Sequence, residues 1–226
     1  MRGPAVPRPC WRVSAGLGAW GHDGGVARVV LFHSVLGLRA VELNAAERLR
    51  RAGHEVVVPD LFGGGTASTL EGGFRLLEQV GWAVVVERAR RALAGVPGEA
   101  VLAGMSMGTG VVSALLPERP ATGGVLFLHA AADLPEPVRS GLRVQLHAAD
   151  PDEFAPAERV AALREVVRRS GLELEVFRYP GVGHFYTDPE LPDHDVAAAE
   201  LTWRRVLDFL EQDAGRARSK AGCEER

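Results

Sequence analysis

Residues 101–108 read VLAGMSMG. An apolar, strand-like run ends in a single serine, Ser106, set between Gly104 and Gly108 at G-x-S-x-G spacing. A helix-forming stretch follows at once. Strand, sharp turn and helix form the context in which a serine is held strained, with its hydroxyl above the edge of a sheet, as a nucleophile elbow. The flanking glycines leave room for strand and helix to approach. The helix start at Met107 offers free backbone N–H groups and a positive dipole end to an oxyanion. The motif alone is moderate evidence, since a shuffle of this composition yields it roughly 0.1 times. A serine in a tight βα turn can also be a plain helix cap. The rest of the chain has to decide.

Outward from this stretch, short apolar runs alternate with helical periodicities. Strands are expected at 28–33 (RVVLFH), 55–60 (EVVVPD), 99–104, 124–129 (GVLFLH), 143–148 (RVQLHA) and 172–179 (LELEVFRY). Helices are expected at 38–52, 74–94, directly after Ser106, at 156–170 and at 195–211, with a Gly/Thr/Ser loop over 63–73. Most strands are apolar throughout, as in a mostly parallel sheet covered by helices on both faces. In such sheets reactive groups collect at the carboxyl ends of the strands. Residues 1–26 are expected to be a poorly ordered extension, 27–212 a single α/β domain and 213–226 a frayed tail.

Composition narrows the function classes. The chain has 226 residues, 46% of them hydrophobic, a net charge of −3 and two cysteines, Cys10 and Cys223. This excludes a basic nucleic-acid or membrane-surface protein and a disulfide scaffold, and no apolar run reaches the length of a membrane span. A cytoplasmic location is expected. Neither signal peptide nor second domain is read.

A serine hydroxyl needs a base, and the base needs an orienting acid. In this fold the chain order is serine, acid, histidine. Four histidines follow Ser106: His129, His147, His184 and His194. His184 lies in YPGVGHFYTD, between the last strand and last helix, where Gly181 and Gly183 let the loop bend back. It is the expected base. The acid belongs after the strand near His147, where HAADPDEFAP offers Asp150 and Asp152. Loop length alone allows either.

FHSVLGL, GMSMG, HAADPDEFAPA and YPGVGHFY together resemble the dienelactone hydrolase family of α/β-hydrolases, over about residues 28–211. The resemblance implies a single-domain α/β-hydrolase without a large lid. It favours Asp152, which stands two residues before Phe154 and four before Pro156 as in that family. It implies a triad of Ser106, Asp152 and His184, with the backbone amides of Val35 and Met107 as oxyanion donors. Many family members have cysteine where Ser106 stands, and the family's lactonases have glutamate where Ser34 stands. Of the arginines that hold substrate carboxylates in the family, Arg75 is a weak match, and a solvated helix face suits it better.

The expected activity is hydrolysis of small soluble carboxylic esters or lactones through an acyl-enzyme. The expected partner is that small molecule, with no nucleic acid and no membrane, in a monomer or small homo-oligomer. Neither metal nor organic cofactor is called for. A non-catalytic small-molecule binder and an acyltransferase are the alternatives. His33, His129 and His147 end strands but show no metal-ligand spacing. Trp82 and Trp203 are expected in core packing or a subunit contact.

Overall fold

The computed structural model describes residues 26–224, with side chains through Gln212. The extension expected over 1–26 thus lies outside the described residues, apart from Val26. Among the described residues, six strands form one sheet: β1 (Arg28–Phe32), β2 (Glu55–Val57), β3 (Val101–Met105), β4 (Gly124–Leu128), β5 (Arg143–Asp150) and β6 (Glu173–Pro180). Among the same residues, six α-helices connect and cover them: α1 (Ala40–Arg51), α2 (Leu70–Val80), α3 (Trp82–Ala92), α4 (Met107–Leu115), α5 (Ala157–Ser170) and α6 (Val196–Glu224). The strand order is β2-β1-β3-β4-β5-β6, and every pairing is parallel.

Strand alternation divides the core. Val29 and Leu31 of β1, with Val101, Ala103 and Met105 of β3, pack against Val41, Ala45 and Leu49 of α1 and Trp203, Val206 and Phe209 of α6. The opposite face joins Val30, Phe32, Leu102, Val125, Phe127 and Val144 to α3, α4 and α5. Phe32 and Phe127 are fully buried there, and truncating either to alanine costs about 3–5 kcal/mol.

Several helix boundaries depart from the sequence reading. The helix expected over 74–94 is two helices, because Gly81 sits at φ 85° between them, a conformation in which other residues are strained. The first begins at 70 rather than 74, where Thr69 caps it by accepting from the Gly72 N–H at 3.1 Å. The last helix extends to Glu224, through the segment expected as a tail.

The topology itself marks a crevice. From β1 the chain goes outward to β2, then returns to β3 on the other side of β1. Loops leaving the carboxyl ends of β1 and β3 therefore diverge, and ligands bind in open α/β sheets at such a point. Val35 follows β1 and Ser106 follows β3.

Candidate active site

Ser106 follows β3 directly, at φ 49° and ψ −110°. A non-glycine residue at positive φ stores strain that the surroundings must hold. Parallel pairing continues through it, since the Ser106 N–H donates to the Leu128 carbonyl at 2.7 Å. The turn is tight enough to dictate both glycines. Gly104 pairs with Phe32 and Phe127 in the sheet register, on the face that α4 covers. A Cβ on Gly104 would run into the Gly108 backbone, and one on Gly108 into the Phe32 carbonyl, both well inside van der Waals contact.

The Ser106 hydroxyl lies 2.9 Å from His184 Nε2, and His184 Nδ1 lies 2.9 Å from Asp152 Oδ2. The carboxylate is nearly buried, and its Oδ1 accepts from the Phe154 N–H at 2.9 Å. Asp150, the other acid the sequence offers, instead pairs with Arg178 at 3.0 Å on the outer side of the strand. The three residues come from loops after β3, β5 and β6, so only the folded sheet brings them together. The imidazole of His184 is packed between Phe154 and Phe185, with ring centroids at 4.5 and 4.4 Å.

Val35 and Met107 line one cleft of about 320 Å³ with Ser106. Met107 is the first residue of α4, and the first N–H groups of a helix have no partner within it. Phe74, Trp82, Phe154 and Ala130–Ala132 give the cleft apolar lining, beside the charged Glu153 and Arg159. Trp82, expected in the core or at a subunit contact, is 43% exposed and faces this cleft against Gly110. Trp203 is buried among core residues. Arg75 pairs with Glu71 on the exposed face of α2.

The strand-end histidines are separately engaged. His33 Nε2 accepts from the Leu61 N–H at 2.9 Å, so its Nδ1–H donates to the Ser34 carbonyl at 2.7 Å. His129 meets Thr187 Oγ1 at 2.9 Å. His147 bridges the Tyr179 hydroxyl and Gln145, each at 2.8 Å. His129 lies edge-on to His184, with ring centroids 6.0 Å apart. Burial, with repulsion from His184 adding to it, pushes His129 down to about 3. Beside the expected base it stays neutral at working pH.

A stability consequence follows. His147 is also pushed down to about 3, chiefly by burial. Their folded values lie below the ordinary 6.5. Their contribution is therefore whole above pH 6.5 and is lost as pH falls toward 3, by up to about 1.4 kcal/mol per pH unit each. Denaturant unfolding is expected to show stability dropping steeply from pH 6.5 to 5, and His147→Gln to flatten that drop by about half. A flat wild-type profile over this window would refute the assignment.

Sequence reasoning did not find Glu42, on the buried face of α1, which is fully buried and bonded to Ser34. A signal was present: it shares helical spacing with the buried Ala45, Ala46 and Leu49.

The profile of the Dienelactone hydrolase family matches residues 21–214. Proteins of Escherichia coli K12 and Yersinia pestis that bear the provisional name carboxymethylenebutenolidase are 31% and 30% identical over 65 and 61 residues. These matches span 29% and 27% of this chain, and only 24% and 23% of the relatives' own length. Among solved structures, P91, a dienelactone hydrolase-like promiscuous phosphotriesterase from metagenomic libraries, superposes with a TM-score of 0.70 at 18% identity, over 84% of this chain and 87% of that one. A provisionally named dienelactone hydrolase of Klebsiella pneumoniae superposes at 0.65 and 18% identity, over 85% and 89%. At such identities the superpositions establish the α/β-hydrolase fold. The profile match over most of the chain establishes more, and the chain belongs to the dienelactone hydrolase family of hydrolases.

Proposed function

We propose that this protein hydrolyses small carboxylic esters or lactones through a covalent acyl-enzyme on Ser106. One observation carries the reading: an unbroken hydrogen-bonded chain from the Ser106 hydroxyl through His184 to Asp152, beginning at a strained serine. In this reading His184 Nε2 takes the hydroxyl proton as Ser106 Oγ attacks the carbonyl carbon. Asp152 holds Nδ1–H and stabilises the imidazolium. The Val35 and Met107 amides receive the oxyanion. The histidine then gives its proton to the departing alkoxide. A water, deprotonated by the same nitrogen, cleaves the acyl-enzyme and restores Ser106.

A small substrate with an apolar face suits the cleft, since aromatic and alanine side chains make up much of its lining, with Glu153 and Arg159 beside them. The name that the bacterial relatives bear makes lactones worth including in the panel. With serine rather than cysteine as nucleophile, simple esters are the first choice.

The test is rapid-mixing kinetics with p-nitrophenyl acetate beside a panel of small lactones. A burst of nitrophenol equal to the enzyme concentration is expected, followed by slower turnover. No turnover of any panel member by folded protein would overturn the reading. Within it, Asp152→Asn is expected to lower kcat about 10⁴-fold by leaving the imidazole in the wrong tautomer. Asp150→Asn is expected to change kcat less than twofold. A larger loss in Asp150→Asn than in Asp152→Asn would reassign the acid.

A further inference from the structure

The turn that presents Val35 is fastened by a carboxylate that lies outside the triad. Glu42 is the third residue of α1 and has no exposed surface. Its Oε1 accepts from the Ser34 N–H at 3.2 Å and from the Ser34 hydroxyl at 3.1 Å. Its Oε2 accepts from the Arg39 N–H at 3.0 Å. Ser34 and Arg39 bracket the turn 35–38, so one side chain grips both of its ends. A glutamate that only capped α1 would need the Arg39 bond alone. Here the other oxygen is committed to Ser34, and burial is paid for by bonds into the turn.

Further bonds make the turn rigid. The Gly37 N–H donates to the Ser34 carbonyl at 3.1 Å, and the Leu36 N–H donates to the Ser34 hydroxyl at 3.3 Å. On its outer side the turn is packed so closely by α2 that a Cβ on Gly73 would stand 2.7 Å from the Val35 carbonyl oxygen. The Arg39 guanidinium reaches across to Asp188 and Glu190, each at 2.7 Å, tying the turn to the His184 loop.

Resting on the acyl-enzyme reading above, we infer that Glu42 is a positioning residue that fixes the Val35 amide for the oxyanion. Oxyanion donors work only when they are already aimed at the developing charge, because they then need no reorganisation during reaction. Losing the Glu42 carboxylate leaves the Ser34 and Arg39 N–H groups buried without acceptors. The turn then relaxes, and the Val35 donor with it. Binding of the ground-state ester depends little on that donor, so the loss falls on kcat.

The experiment compares wild type, Glu42→Ala, Glu42→Gln and Glu47→Gln, the last altering an exposed residue of the same helix. Active sites are counted by fluorophosphonate labelling, and per-site kcat and KM are measured on a matched ester and thionoester, C=O against C=S. Sulfur is a poor hydrogen-bond acceptor and gains little from well-aimed amides. Glu42→Ala is expected to lower kcat for the ester about 10²-fold per labelled site, with KM within threefold. The ester-to-thionoester rate ratio is expected to fall about tenfold. Glu42→Gln is expected between the two, since its carbonyl serves Ser34 while its amide N–H groups oppose the Arg39 N–H. Glu47→Gln is expected to match wild type. Unchanged per-site kcat and an unchanged ratio in Glu42→Gln and in any folded Glu42→Ala would overturn the inference, even if melting temperature fell. Absence of turnover in wild type would instead overturn the hydrolase reading, and this inference with it.

Discussion

Ser106→Ala and His184→Ala are each expected to lower kcat for ester hydrolysis about 10⁶-fold, with the double variant falling little further. The two side chains make one hydrogen-bonded unit. Without His184 the hydroxyl keeps its proton, and without Ser106 the imidazole has nothing to activate but water. Effects within such a unit do not add. In the proposed mechanism the residual rate comes from binding and the oxyanion amides. Ser106→Ala removes a single oxygen and should change the unfolding free energy by less than about 1 kcal/mol, whereas His184→Ala also leaves the nearly buried Asp152 carboxylate without its imidazole partner and should cost more. Steady-state kinetics on the two single variants and the double variant check this. Independent, multiplicative losses would show that Ser106 and His184 do not act on the same step.

Gly108→Ala is expected to destabilise the protein by at least about 4 kcal/mol or to prevent folding. The added methyl would meet the Phe32 carbonyl, which belongs to a central strand and is flanked by buried side chains. Neither partner can yield without opening the packing between β1 and α4. Gly104→Ala meets the Gly108 backbone from the other side and should behave alike. Gly64→Ala supplies the contrast. Its φ is 93°, but nothing lies near the added Cβ, so only the conformational cost of about 1 kcal/mol applies. Urea unfolding of the three variants separates steric from conformational cost. A Gly108→Ala protein as stable as Gly64→Ala would mean that the turn is looser than described.

The fold was legible because its signals are local. RVVLFH, VLAGM and GVLFL are apolar on both faces, and only a strand buried between two helical layers needs that. Ser106 and its two glycines could be read from spacing, because the turn excludes any Cβ at 104 and 108. The loop of His184 was legible through chain order. What separates Asp152 from Asp150 is direction. At the end of β5 one carboxylate points to His184 and the other to Arg178, and residues two apart give no local sign of this. The family resemblance favours Asp152, the carboxylate that the fold sets beside His184.

Other features depend on packing that no short window contains. Phe74 and Trp82 have ordinary places on amphipathic helices, and only the break at Gly81 and the contact with Gly110 bring Trp82 to the cleft. Glu42 looks like any acidic residue in a first helical turn. Its significance comes from burial and from Ser34, eight residues away. The stretch over 1–25 lies outside the described residues.

The most direct test of the central claim is intact mass after treatment with a fluorophosphonate, followed by peptide mapping, on wild type and Ser106→Ala. The account predicts one stoichiometric adduct on wild type, located at Ser106, and none on the variant. No adduct on folded wild type, or the same adduct on Ser106→Ala, would contradict it.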